Sequence, residues 1–226
     1  MSVVNDTIDW FSDSAHWSGE DGVPHRLVQH LGYTGLTVVI AAAIAIPIGL
    51  WIGHTGRLRG LAVVSSGVLR ALPTLGVLTY ASLFTGIGIK AAIFTLVLLA
   101  IPPLLAGAYA GLESVDRQTI DAARAIGMTE WQVLTKVEAP LALPLIVGGF
   151  RSATLQVVAT ATVAAFVPGP GGLGRYLIDG LALSDYPRVV AGSVVVIVLA
   201  LILDGIFVLI QRAVLGSRPA LSPTSA

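Results

Sequence analysis

Long apolar runs separated by short polar stretches set the organisation of this chain. No charged residue lies between Arg26 and Arg57, between Lys90 and Glu113, or between Glu138 and Arg151. A helix rises about 1.5 Å per residue, so about 20 apolar residues cross the hydrocarbon of a bilayer. Five stretches are long enough: Gly32 to Gly53, Leu61 to Phe84, Ala91 to Leu112, Leu141 to Val167 and Val189 to Gln211. In lipid the backbone must satisfy its own polar groups, and a helix does so within one segment. The pattern therefore predicts an all-α, polytopic membrane protein with about five transmembrane helices. A polar N-terminal segment (1–30) precedes the membrane domain (31–214), and a polar, loose tail (215–226, its polarity beginning at Arg212) follows.

Several residues inside these spans break the apolar pattern. Pro47 predicts a kink in the first. Arg70 and Pro73 fall in the second, and Pro102 and Pro103 remove two backbone donors from the middle of the third. Such a break needs protein or a water-lined cavity to meet the freed carbonyls. Pro73, Pro102 and Pro103 are thus either kinks or parts of a gate. Thr154, Gln156, Thr160 and Thr162 make the fourth span unusually polar. Hydrogen bonds between helices and a water-lined pathway both explain that. Arg151 is read as snorkelling to the cytoplasmic face or pairing with loop carboxylates, and Asp204 as a hydrogen-bonded acid inside the bundle. Gly49-x-x-x-Gly53 and Gly107-x-x-x-Gly111 predict close helix contacts.

The polar island between the third and fourth spans, residues 113–140, is too regular to be slack chain. Asp116 is placed to cap a first short helix, and Gly127 to end it in the left-handed conformation. Thr129-x-x-Gln132 is a capping box for a second helix. Trp131, Leu134 and Val137 follow at a spacing of three and share a face, as Ile120 and Ala123 do on the first helix. Pro140 stops the second helix or starts a new one. From this pattern alone the pair is either docked by a partner or laid on the lipid surface.

Composition agrees with a membrane protein: 55% hydrophobic, 12% charged, mean hydropathy +0.85. Net charge is zero and cysteine is absent, so nothing favours nucleic acid, disulfides or thiolate metal sites. There is no phosphate-binding Gly-x-x-x-x-Gly-Lys loop, zinc helix or nucleophile elbow. Gly169-x-Gly171-x-x-Gly174 matches a dinucleotide fingerprint in letters only, since it follows a membrane span rather than a strand. It is read as a tight turn on the outer side. His16, His25, His30 and His54 show no ligand spacing and are read as solvated. Trp10, Phe11 and Trp17 suit a segment at the membrane surface or a flexible tail. Arg57, Arg59, Arg117, Arg124, Lys136, Arg212 and Arg218 lie on the side of the polar island; Arg26, Lys90, Arg175 and Arg188 lie on the other. The positive-inside rule then puts the island and the C-terminus in the cytoplasm and the N-terminus outside.

Asp121-Ala122-Ala123, three residues, Gly127, nine residues and Val137-Glu-Ala-Pro140 resemble the Glu-Ala-Ala motif of ABC importer permeases. Asp121, Val137 and Ala139 are mild departures from Glu, Ile and Leu. Arg70-Ala-Leu-Pro73-Thr-Leu, Ile101-Pro-Pro-Leu, Gly149-Phe-Arg-Ser-Ala-Thr154 and Ala164-Ala-Phe-Val-Pro-Gly-Pro-Gly-Gly-Leu-Gly174 narrow the likeness to osmoprotectant permeases, with amino-acid permeases sharing much of it. The resemblance implies a permease subunit carrying glycine betaine, choline, carnitine or a related amine. It implies two ATPase subunits docked on the loop, a second permease subunit, identical or related, and an external substrate-binding protein. Asp121, Ala122, Ala123, Gly127, Met128, Thr129 and Pro140 are then the coupling residues. Pro73, Pro102, Pro103, Thr154, Gln156 and Thr160 are the pathway candidates. No cofactor is expected on this chain, which is no enzyme; ATP and magnesium belong to the ATPase.

Overall fold

The computed structural model describes residues 3–167 and 171–216. The described residues form helices and no strands: α1 (Val3–Ser12), α2 (Val23–Thr55), α3 (Arg59–Ala71), α4 (Thr74–Thr85), α5 (Ile89–Glu113), α6 (Arg117–Ala125), α7 (Glu130–Val133), α8 (Ala139–Ala164), α9 (Gly174–Leu183) and α10 (Tyr186–Gly216). Three of the long apolar segments are α2, α5 and α10; the fourth is the continuous helix Glu130–Ala164, which contains α7 and α8.

α5, with no charge between Lys90 and Glu113, is the centre of the bundle. Two-thirds (67%) of its apolar stretch is buried, against 6% for α10. It packs between α2 and α8, and small residues let the backbones approach. Gly49 and Gly53 of α2 lie against Ala108 and Leu112 of α5, and Gly107 of α5 lies against Gly149 of α8. A Cβ added to Gly107 would stand 2.7 Å from the Gly149 Cα, closer than any side chain tolerates. Both small-residue motifs thus work on α5: one from α2 onto it, the other from it onto α8.

Pro102 and Pro103 are buried within a continuous α5. Pro103 has no N–H for the carbonyl of Leu99, four residues earlier. The Gln156 side-chain amide of α8 donates to that carbonyl at 2.9 Å. The polarity of the fourth span is spent in part on mending the third.

Elsewhere the structure departs from the sequence pattern. The first span begins at Val23, well before Gly32, and its early turns hold Gly171 and Gly172 of the loop before α9. Tyr33 Oη accepts from the Gly171 N–H (3.3 Å), and Gln29 Oε1 from the Gly172 N–H (3.0 Å). His30 is buried and donates through Nε2 to the Val158 carbonyl at 3.0 Å, so it is not solvated. Pro168, Gly169 and Pro170 of the expected outer turn, and tail residues 217–226, lie outside the described residues; Arg212 falls inside α10. The second span is not straight. α3 and α4 meet at 90°, with Pro73 at the break. Proline disfavours a helical residue before it, and Leu72 is extended (φ −67°, ψ 130°).

The N-terminal segment is a helix docked on the bundle and not a flexible tail. Trp10 is buried beside Leu173 and Tyr176, edge-on to Tyr176 and stacked on His16 with centroids 4.1 Å apart. Arg151 pairs with Asp204 of α10 through two bonds of 2.6 and 2.8 Å, and not with the loop. A two-pronged fork of this kind satisfies two charges that would each be costly alone in lipid.

Two measurements check this account. Gly107→Ala should lower the unfolding temperature in detergent sharply, at an overpacking cost of about 1–3 kcal/mol, whereas Gly67→Ala, whose Cβ meets nothing within 4 Å, should not. Gln156→Leu should cost about 1–3 kcal/mol by leaving a buried carbonyl unpaired. Pro103→Ala restores an N–H at that carbonyl, so the double variant should recover most of the loss; equal losses in the single and double variants would refute the pairing.

Candidate functional site

Residues 113–140 leave the bundle from the end of α5 and return through α8. Asp116 begins α6 by accepting the Gln118 N–H at 2.9 Å. The helix ends in two crossed bonds, Gly127 N–H to the Arg124 carbonyl (2.9 Å) and Met128 N–H to the Ala123 carbonyl (3.2 Å). This Schellman closure needs a left-handed residue, and Gly127 has φ +86°. A Cβ there would meet no atom within 4 Å, so the position demands a backbone angle and not space. Thr129 opens α7 with both bonds of the capping box: Gln132 N–H to Thr129 Oγ1 at 3.4 Å and Thr129 N–H to Gln132 Oε1 at 2.9 Å.

Pro140 neither stops the helix nor starts a separate one. Leu134–Glu138 wind as a π-turn, with the Ala139 N–H reaching back to the Leu134 carbonyl. The wider turn accommodates a proline that would collide with a carbonyl in a regular helix. Glu130 to Ala164 is therefore one 35-residue rod. The loop is rigidly joined to the membrane helix that follows it.

Charge ties the two arms of the loop together. Arg124 Nε and Nη2 donate to Glu130 at 3.0 and 2.9 Å, and Arg124 also lies 3.6 Å from Asp121. The Glu130 carboxylate raises the Arg124 pKa further above its already high value. Glu130 in turn stands 3.2 Å from His54 Nε2, and His54 Nδ1 lies 2.5 Å from Glu138. His54 closes α2, so the loop is fastened to the first span as well as to α8. The sequence reading took His54 as solvated and passed over Glu138. Their partnership spans 84 residues and has no local signature.

The expected residues fall into three separate places: the loop, the bundle interior and the α3–α4 elbow. Asp121, Ala122, Gly127, Thr129 and Pro140 are exposed on the loop, Met128 is half-buried and Ala123 is buried. Ile126 and Trp131 stand out from it, 80% and 71% exposed. The expected shared face of Trp131, Leu134 and Val137 is split: Trp131 points outward, Leu134 packs on Leu112, Ala142 and Ile146, and Val133 is fully buried instead. Pro102, Pro103 and Thr154 are buried inside the bundle. Gln156 bonds Leu99, Thr160 donates to the Gln156 carbonyl (2.6 Å), and Pro73 sits at the exposed elbow between α3 and α4. Among the described residues no group of His, Asp and Glu side chains is arranged to hold a metal ion.

The chain is similar to known proteins over most of its length. It is 31% identical to the carnitine transport permease protein OpuCD of Listeria monocytogenes, over 94% of this chain and 93% of the relative. It is 32% identical to the glycine betaine/carnitine/choline transport system permease protein OpuCB of Bacillus subtilis, over 84% of this chain and 87% of the relative. Its fold matches a subunit of the inward-facing methionine ABC transporter MetNI, with a TM-score of 0.74 at 22% identity, covering 85% of this chain and 95% of that one. The family of binding-protein-dependent transport system inner membrane components matches residues 45–216. A multi-pass helical chain built around a capped polar loop, related at this level along nearly all its length, belongs to that family of inner-membrane transport components.

Proposed function

We propose that this chain is the permease subunit of an ATP-driven importer of compatible solutes, quaternary amines such as glycine betaine, choline and carnitine. The substrate class rests on relatives named for those solutes that align with up to 94% of the chain. The methionine transporter, at 22% identity, speaks for the fold alone. The coupling role rests on one observation: the loop is a closed, capped unit continuous with α8. In this reading an ATPase grips the exposed face of α6 and the projecting Ile126 and Trp131. Asp121 to Gly127 carries force, not solute. Two such ATPases, a second permease and an external binding protein complete the machine, and ATP with magnesium is consumed by the ATPase alone.

The loop and the C-terminus are assigned to the cytoplasm and the N-terminus to the outside, on the bias of basic residues. Of the pathway candidates, Pro73 is the one at an exposed bend, so the α3–α4 elbow is assigned to the path. A carrier working alone on an ion gradient would draw on Arg151, Asp204 and the polar fourth span, whose Gln156 and Thr160 bond within the chain. Arg151 and Asp204 neutralise each other, which removes the motive.

With the ATPase and binding protein in proteoliposomes, the chain should take up labelled carnitine or glycine betaine only when ATP is present. Uptake by the chain alone on a proton or sodium gradient would refute the assignment. Asp121→Arg and Gly127→Leu should each cut ATP-driven uptake by about tenfold or more, the second because a left-handed side-chain residue costs about 1–3 kcal/mol. Intact uptake in both would remove the coupling role. Because the chain has no cysteine, Thr119→Cys and Ser14→Cys provide clean labels. An impermeant thiol reagent should reach the first only from the cytoplasm and the second only from outside.

A further inference from the structure

We propose that His54 is a positioning residue of transport: in its protonated form it clamps the coupling loop to the end of the first membrane helix, and loss of the proton loosens the clamp. The proposal rests on the reading of residues 113–140 as the ATPase-coupled loop.

The geometry of the imidazole carries the argument. Its two nitrogens face two different carboxylates, Glu138 at 2.5 Å from Nδ1 and Glu130 at 3.2 Å from Nε2. A neutral imidazole has one N–H and one lone pair. With Nδ1–H given to Glu138, a neutral ring would aim its lone pair at the Glu130 carboxylate. Only the imidazolium offers a proton to both. His54 also lies in the last turn of α2, where the helix dipole favours a cation.

The two carboxylates belong to different parts of the loop. Glu138 is the inward end of the π-turn, its side chain 4% exposed, whereas Glu130 opens α7 with its side chain 59% exposed. One imidazolium therefore bridges the start of the rod and its π-turn, and fixes both to α2. Without that bridge, a push on α6 passes through the Arg124–Glu130 pair to the continuous helix and so to α8, but reaches α2 only by packing.

The other charges around the ring complete the circuit. Arg124 of α6 holds Glu130 in a fork and shares its Oε2 with His54. Glu113 of α5 pairs with Arg59 of α3 at 3.2 Å, which leaves the two glutamates as the groups in direct contact with the ring. A cavity of about 390 Å³ lies against His54, with Arg59, Glu113, Arg117, Asp121 and Arg124 on its walls. It gives the imidazole a polar space through which to exchange its proton with the cytoplasm.

The sign follows from the charge: the clamp is closed at low pH and opens as pH rises and the ring becomes neutral. The test is the coupling ratio, carnitine molecules imported per ATP hydrolysed, measured for the assembled transporter in proteoliposomes. In the wild type this ratio should fall as pH rises, because only the imidazolium offers a proton to both carboxylates. At low pH, His54→Gln and Glu130→Gln should each reduce it by at least about fivefold, the lower end of coupling between sites, while ATP hydrolysis continues. The double variant should be no worse than Glu130→Gln alone, since that change already breaks the His54 bridge along with the fork from Arg124. His54→Lys, which keeps the charge, should hold its ratio as pH rises. If His54→Gln does not assemble, Glu130→Gln, altered at a largely exposed side chain, carries the test. A wild-type ratio independent of pH, a Gln variant with the wild-type ratio, or a Lys variant that falls with pH as the wild type does would overturn the clamp. Absence of ATP-driven uptake in the wild type would instead overturn the underlying reading of the loop.

Discussion

The backbone contact between Gly107 and Gly149 is the constraint on which the rest of the structure depends. Lipid offers apolar helices no hydrophobic reward for associating. They associate by packing closely and by satisfying each other's polar groups. With no side chain at either position, α5 and α8 touch along their main chains, and Gly49 and Gly53 bring α2 in from the other side. The same closeness puts Gln156 within reach of the carbonyl that Pro103 leaves open. Two prolines in the middle of a membrane helix are stable because that contact exists.

The loop inherits its rigidity from this arrangement. Residues 113–140 start from the most buried helix of the bundle and end in the helix packed against it. The π-turn carries Pro140 without interrupting the rod, so a displacement of α7 is a displacement of α8. Local capping fixes the shape of the loop, and the α5–α8 contact fixes where it stands. His54, at the end of α2, ties the loop by polar contacts to the third member of the central layer.

The family assignment and the geometry carry different parts of the functional reading. Relatives along nearly the whole chain carry the class of solute. The structure carries the mechanics: which side chains project from the loop, which are spent in internal contacts, and which helix moves with it. Thr160 and Gln156 are pathway candidates on their polarity alone, and Arg151 and Asp204 are charged groups within the same bundle. Their hydrogen-bond partners lie within the chain, so their polarity is accounted for by packing.

What the sequence determined by itself is local. The spans follow from charge-free length, because the bilayer tolerates nothing else. The two caps of the loop, Asp116 and Thr129, and the left-handed turn at Gly127 follow from bonds made within five residues. The small-residue motifs announced close contacts without naming the partners. Only the tertiary structure decided the contacts between distant segments: Gln156 with Leu99, Arg151 with Asp204, His30 with Val158 and His54 with Glu138. It also bent the second span at Pro73, carried the fourth span through Pro140, and drew residues 23–31 into the first helix, where Gln29 binds the loop before α9. A polar residue in an apolar run signals that it needs a partner, but its own stretch of chain does not say which. That choice is made when helices far apart in sequence are brought into register, and here the register is set by glycines that let them touch.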